Sequence, residues 1–129
     1  MSIKRTHKLS QKKWLKENSH LKILDLGCTH VNYWPEANNF ADIEDYSEYF
    51  SKKNLAYTKI EPNKKLPFKD KEFDYVILSH VMEHVPNLLE FKDELVRIAK
   101  RGYIELPTKM YDNLVFGCDE EILGHKWWF

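Results

Sequence analysis

Only two cysteines occur in the 129 residues, Cys28 and Cys118, far apart and in no C-x-x-C pair. That excludes a disulfide framework and a thiolate zinc site, and makes a reducing cytoplasm the expected compartment. Long apolar runs are missing too: the longest, Tyr75 to Leu78, falls far short of the roughly 18 residues a membrane span needs. The basic N-terminus carries no apolar segment and no small-residue cleavage site, so no secretory signal is read there. Net charge is absent, with 20 Lys plus Arg against 20 Asp plus Glu, which argues against duplex nucleic acid as a partner. What is present suffices to fold. At 43% hydrophobic and 14% aromatic the chain lies outside the regime of chains that fail to collapse, and its length suits one domain around one core.

Charge is unevenly spread. Residues 1–20 carry Lys4, Arg5, Lys8, Lys12, Lys13 and Lys16 against Glu17 alone, a local balance of +5. Residues 36–50 carry Glu36, Asp42, Glu44, Asp45 and Glu48 with no Lys or Arg, a balance of −5. Residues 1–20 are therefore read as a basic N-terminal arm, followed by one domain over 21–129. The arm is either solvated, with a short helix burying Trp14 and Leu15, or closes over an anionic substrate.

Leu21 to Leu26 is a short apolar run stopped by Gly27, as a buried parallel strand is before its turn. Thr29 to Asn39 contains Pro35 and the Asn38-Asn39 pair and lacks a 3.6-residue apolar period, so a loop is expected where a crossover helix is usual. A second strand is expected at Phe40–Ile43, a short helix at Tyr46–Lys53 and a third strand at Leu55–Ile60. Phe73 to Ser79 is β-branched and aromatic throughout, the composition of a central strand covered on both faces. Asn87 with Glu90 predicts a helix start, with Leu88, Phe91, Leu95 and Ile98 on one face. Lys100 and Arg101 would lie in its last turn and Gly102 would end it, followed by a strand over Tyr103–Leu106. Strands alternating with helices and connectors predict an α/β sheet whose site lies at the carboxyl ends of the strands, at Asp25, Gly27, Asp42, Glu61, Ser79, His80 and Glu105.

A glycine directly after the first strand admits close approach of a ligand to the backbone, and an acid at the end of the second accepts hydrogen bonds from both ribose hydroxyls. Gly27 and Asp42 fit these roles, and Asp42 follows Asp25 by 17 residues, near the ~20 of nucleotide-binding folds. Taken alone, the two residues fit a tight turn and a solvated strand-end acid equally well.

The segment LPFKDKEFDYVILSHVMEHVPN changes that balance. Its Leu-Pro-Phe turn at 66–68, Asp70, the Phe-Asp strand from Phe73, and Ser-His-Val-x-Glu-His at 79–84 resemble the central block of class I S-adenosylmethionine-dependent methyltransferases of the type 11 group. LKILDLGC at 21–28 is similar to that family's first motif, and RGYIELPT at 101–108 and GHKWWF at 124–129 resemble segments of one subset. The resemblance implies a Rossmann-like three-layer sandwich with a mostly parallel sheet, its C-terminal antiparallel strands reduced or absent because the chain stops before the pair that normally completes it. It implies S-adenosylmethionine as cofactor and methyl transfer to an unidentified acceptor. Gly27 and the adjoining backbone would receive the donor's amino-acid end, Asp42 would hold the ribose, Glu61 or Asn63 would lie near the adenine, and Ser79 and His80 near the sulfonium; Asp25, Cys28 and Leu66 are further expected donor-binding residues. His80 is the first candidate base and Glu105 the second, while His80 can equally be a hydrogen-bonded residue that only shapes the pocket. The family's D-x-G-x-G-x-G is depleted, with Thr29 and Val31 in place of the second and third glycines. That depletion favours, as the alternative, a catalytically inactive donor-binding or scaffold protein of the same fold.

His80-Val81-Met82-Glu83-His84 also matches H-x-x-E-H, a zinc-hydrolase motif. Pro86 cutting the helix short and a buried strand running straight into the motif weigh against a metal site. The tail aromatics Tyr111, Phe116, Trp127, Trp128 and Phe129 must cover something: the last helix or strand, an acceptor, or a second copy of the chain. An open edge on the last parallel strand is the other expected route to a homodimer.

Overall fold

A computed structural model of the chain describes residues 3–61, 65–79, 88–105 and 113–116. In chain order the elements are β1 (Ile3–Arg5), α1 (Lys8–Glu17), β2 (Ile23–Leu26), β3 (Asn39–Asp42), α2 (Ser47–Lys52), β4 (Ala56–Lys59), β5 (Phe73–Ser79), α3 (Leu88–Ile98), β6 (Ala99–Glu105) and β7 (Asn113–Phe116). The strands form one sheet in the order β1-β7-β6-β5-β2-β3-β4. From β4 to β6 every pairing is parallel; β7 then runs antiparallel to β6, and β1 antiparallel to β7. This is the expected Rossmann-like, mostly parallel α/β sheet, with one C-terminal antiparallel strand, β7, among the described residues. The expected open edge on β6 is not there, because β7 covers it and β1 lies outside β7.

β5 sits at the centre because it can bury both of its faces. Val76 and Leu78 point to one side, where Leu95 and Ile98 of α3 pack with Ile60, Leu66 and Phe68. Tyr75 and Ile77 point to the other, against Leu15 of α1, Phe50 of α2, and Trp34 and Ala37 of the β2–β3 connection. Each such side chain removed from water contributes about 1.5–3 kcal/mol. The connection over 27–38 is a loop, as its Pro and Asn residues predict. Asn38 turns it back into the sheet, its Oδ1 accepting from Ile23 N at 2.8 Å and its Nδ2 donating to Leu21 O at 2.7 Å.

The boundary drawn at residue 20 does not divide the described fold. β1 is a strand of the same sheet, Leu15 is wholly buried, and Gln11 ties α1 to β5 by accepting from the Tyr75 hydroxyl and donating to Thr6 Oγ1 at 3.2 Å. Trp14 packs on Tyr75 with ring centroids 5.6 Å apart. The short helix that buries Leu15 is therefore present as part of the domain.

α3 also ends earlier than its sequence pattern predicts. It stops at Ile98, and Lys100, Arg101 and Gly102 belong to β6. Gly102 is thus a strand residue and not a helix terminator. A Cβ there would lie 2.2 Å from Phe116 Cε1, 2.5 Å from its Cζ and 2.9 Å from Val76 Cγ1, so the missing side chain is the space the Phe116 ring occupies. Gly102→Ala is predicted to lower stability by about 1–3 kcal/mol through overpacking, with part of the loss recovered in Gly102→Ala/Phe116→Leu. Chemical denaturation of the two variants and of Phe116→Leu checks this; additive losses would contradict it.

Candidate functional site at the carboxyl rim

Parallel strands deliver their carboxyl ends to one rim, and here the register lines up the chemistry. Asp42 pairs with Lys59, and Ser79 with Glu105. Gly27 follows Leu26, which pairs with Ala41 on one side and Leu78 on the other, so Gly27 lies between Asp42 and Ser79. Glu105, Ser79, Gly27, Asp42 and Lys59 form one row across five strands. Side chains alternate along a strand, which puts these residues on the face that also carries Tyr103, Ile77, Phe40 and Tyr57, the face under α1 and α2. β1 runs parallel to β6 and ends at the same rim, so α1 starts there. Lys8, its first residue, brings Nζ to 3.5 Å from Glu105 Oε2, the oxygen that also accepts from Ser79 Oγ at 2.8 Å.

Gly27 adopts a φ of 85°, which disfavours any residue with a side chain, and its N–H donates to Ala41 O at 2.7 Å. The chain then closes on itself. Thr29 N–H donates to Asn32 O at 3.1 Å, and Thr29 Oγ1 accepts from Val31 N at 3.3 Å and Asn32 N at 2.9 Å. Trp34 N–H donates to Asp25 Oδ2 at 2.7 Å. Trp34, 4% exposed, turns into the core against Tyr103, whereas Val31, 81% exposed, turns out to solvent. The Trp34 ring centre lies 5.5 Å from Lys8 Nζ, beside the Glu105 end of the row. Asp25 is 2% exposed, and burial pushes its pKa up to about 7 against the opposing pull of the Trp34 N–H. Cys28 is buried with its thiol 3.8 Å from Ala41 O; burial, aided by Asp25, pushes its pKa up, so it is no nucleophile at neutral pH.

The remaining expected site residues are placed unequally. Asp42 is half-buried, accepts from Glu44 N at 3.1 Å through Oδ2, and has its pKa raised by burial. Glu61 is exposed one residue past the buried Ile60, with Lys59 Nζ at 3.8 Å. Leu66 is buried on the α3 side. Its N–H donates to Glu94 Oε1 at 2.8 Å and its O accepts from Arg97 at 3.0 Å, while Arg97 also reaches Phe68 O and Asp70, so α3 holds the Leu-Pro-Phe turn. The Arg97 guanidinium keeps the Glu94 carboxyl below its ordinary pKa. Asn63, His80, the H-x-x-E-H motif, Asn87 and the tail aromatics beyond Phe116 lie outside the described residues. Among the described residues no group of three or more His, Cys, Asp and Glu is arranged to hold a metal ion, and no helix is long and apolar enough to cross a membrane. Two residues of the rim escaped the sequence reading. Lys8 was only one base among six, because three residues of β1 carry no readable strand pattern; Trp34 was an aromatic in a loop, with no signal that Asp25 would hold its N–H.

A family model described as a methyltransferase domain, of type 11, matches residues 20–104. The chain belongs to this methyltransferase-domain family. The match runs from just before β2 almost to the end of β6, so it includes Gly27, Asp42 and Ser79 and leaves out Lys8 and Glu105. Among solved structures, a SAM-dependent methyltransferase from Aquifex aeolicus is 20% identical with a TM-score of 0.56, over 74% of this chain and 62% of that one. The trans-methyltransferase CalH, in complex with SAH, is 18% identical with a TM-score of 0.58, over 75% of this chain and 34% of that one. The [4+2]-cyclase SpnF is 13% identical with a TM-score of 0.54, over 74% of this chain and 44% of that one. At these identities the likeness is one of fold, and the matched part spans about a third to three fifths of those longer proteins. No curated protein matches the chain in sequence.

The Asp25 carboxyl makes the methyltransferase domain sensitive to pH. Its pKa rises from the ordinary 3.8 to about 7 on folding, so the folded state holds a proton the unfolded state has released between those values. The stability this group contributes is full below about pH 4 and is lost as pH rises through about 7, at up to ~1.4 kcal/mol per pH unit. Asp25→Asn keeps an acceptor for Trp34 N–H and is predicted to remove that slope. Denaturation midpoints of both proteins across this window check it, and parallel pH curves would contradict it.

Proposed function

We propose that the chain is an S-adenosylmethionine-dependent methyltransferase domain that binds its donor along the carboxyl rim and passes the methyl group to a small-molecule acceptor. The observation that carries this reading is the row itself: an acid at the end of β3 beside a positive-φ glycine at the end of β2, within a segment that matches the methyltransferase family. The donor supplies a methyl group activated by positive sulfur, so the protein's work is alignment and exclusion of water. Asp42, half-buried and held by the backbone N–H groups of Glu44 and Ile43, accepts from the ribose hydroxyls. Gly27 allows the ligand to lie against the backbone. Glu61 or Asn63 takes the place near the adenine, and Ser79 and His80 lie near the sulfonium. Asp25, Cys28 and Leu66 are the further donor-binding candidates, Asp25 fixing the loop through the Trp34 N–H. Where the acceptor must lose a proton as it attacks, His80 is the first candidate base and Glu105 the second. The buried Cys28 thiol suits a reducing cytoplasm.

One observation favours a second reading, a donor-binding protein of this fold that transfers no methyl group. The N–H groups of Gly27, Thr29, Val31 and Asn32 donate within the chain and are taken from any ligand. SpnF, a cyclase with a similar fold, illustrates that the fold does not dictate the reaction. Calorimetric titration with S-adenosylhomocysteine tests what the two readings share: saturable binding is expected, weakened about 10-fold or more in Asp42→Ala, the range of losing hydrogen bonds to a charged acceptor. Absence of binding would overturn both. Methyl transfer from labelled donor to a panel of small amines, phenols and carboxylates then separates them.

A further inference from the structure

We propose that Lys8 and Glu105 together receive the amino-acid end of the donor, Lys8 its carboxylate and Glu105 its ammonium. The inference rests on the donor-site reading above and departs from it at one point, since family resemblance assigns that end of the ligand to the backbone after Gly27. In this chain that backbone is occupied. Gly27 N–H is spent on Ala41, Thr29 N–H on Asn32 O, Val31 and Asn32 N–H on the Thr29 hydroxyl, and Trp34 N–H on Asp25. A carboxylate placed there would have to compete for these N–H groups with the acceptors they already have within the chain.

The ligand's carboxylate therefore needs a side-chain cation, and three lysines stand near the row. Lys12 is held by both oxygens of Glu36 at 3.3 Å and lies 4.6 Å from the centre of the Trp34 ring, beside the loop. Lys59 is at the far end, past Asp42, next to Glu61, on the side that takes the nucleoside. Lys8 is on the opposite flank, its Nζ 5.5 Å from the centre of the Trp34 ring, with a side chain 42% exposed and a single long 3.5 Å contact to Glu105 in place of Lys12's two-oxygen hold. An exposed pair of that kind contributes little to stability and is readily exchanged for a ligand. Glu105, 13% exposed, is the better ordered partner, fixed by the Ser79 hydroxyl at 2.8 Å.

The geometry fits the ligand's shape. Asp42 and Glu105 are three strand steps apart, about 14 Å at ~4.8 Å per step, with Gly27 and Ser79 between them. Side chains reaching inward from both ends leave the intervening stretch to the sulfur and its aminobutyrate chain, with the bare Gly27 backbone beneath. The ligand ends in two opposite charges on one carbon, and the rim ends in two opposite charges on adjacent side chains. Both residues fall outside the segment that matches the family, residues 20–104. Glu105 is thereby committed to binding, which leaves base work to the segment after Ser79.

Two ligands separate this inference from the reading beneath it: S-adenosylhomocysteine, and 5′-methylthioadenosine, which keeps the nucleoside and sulfur but lacks the amino-acid end. Calorimetry on the full chain is expected to give wild-type preference for S-adenosylhomocysteine. Lys8→Met and Glu105→Gln should each weaken S-adenosylhomocysteine about 10-fold and leave 5′-methylthioadenosine unchanged, whereas Asp42→Ala should weaken both. Wild-type protein that binds the two ligands equally overturns the inference whatever the folding of the variants, as do variants that keep full affinity or lose both ligands alike. Wild-type protein that binds neither ligand overturns the donor-site reading as well.

Discussion

The carboxylate of Asp25, buried beneath the β2–β3 connection and accepting the Trp34 N–H, is the constraint on which the rest of the structure depends. A parallel crossover normally needs a dozen or more residues and a helix to cover the sheet face. Here the 27–38 connection has no helix, and Trp34 and Ala37 do the covering. A loop lying over a hydrophobic face must satisfy its own backbone, and a carboxyl group is costly to bury. The two requirements meet in one hydrogen bond of 2.7 Å. With Trp34 drawn inward against Tyr103, Val31 lies outward in solvent and the indole sits beside Lys8 at the Glu105 end of the row.

The same bond explains how a depleted glycine motif coexists with a usable rim. Thr29 in place of a glycine is not neutral: its hydroxyl takes two backbone donors and makes the turn rigid. The loop is thereby changed from a ligand-binding element into a structural one. In the proposed site, ligand contacts fall instead to side chains on neighbouring elements, Asp42 on β3, Ser79 on β5, Glu105 on β6 and Lys8 on α1. Each is carried by an element anchored in one of the two cores, which is the kind of support that alignment at a reacting centre requires.

Much of this was legible in the residues. β5 declared itself because a strand buried on both faces has no polar alternation to confuse it, and the 29–39 loop because Pro35 and Asn38-Asn39 leave a helix no periodicity. Gly27 and Asp42 could be placed because a strand end followed by glycine, and an acid 17 residues beyond Asp25, have direct local readings. The rest depended on partners far along the chain. Gly102 looks like a helix terminator locally, and only Phe116, arriving from β7, explains it as a strand residue. β1 is three residues with no pattern, yet its pairing with β7 brings α1 and Lys8 to the rim and makes the basic arm part of the domain. The burial of Asp25 was equally invisible, since an aspartate at a strand end reads as a ligand contact until Trp34 is seen covering it.

The most direct test of a rim site held open by a structural loop is amide NMR on the full chain, titrated with S-adenosylhomocysteine. The expected result is that the largest shifts fall on Gly27, Asp42, Ile43, Ser79 and Glu105, while the Trp34 amide stays protected from hydrogen exchange in both free and bound protein. Shifts concentrated on α3, or a Trp34 amide that exchanges freely in the unbound protein, would contradict the account.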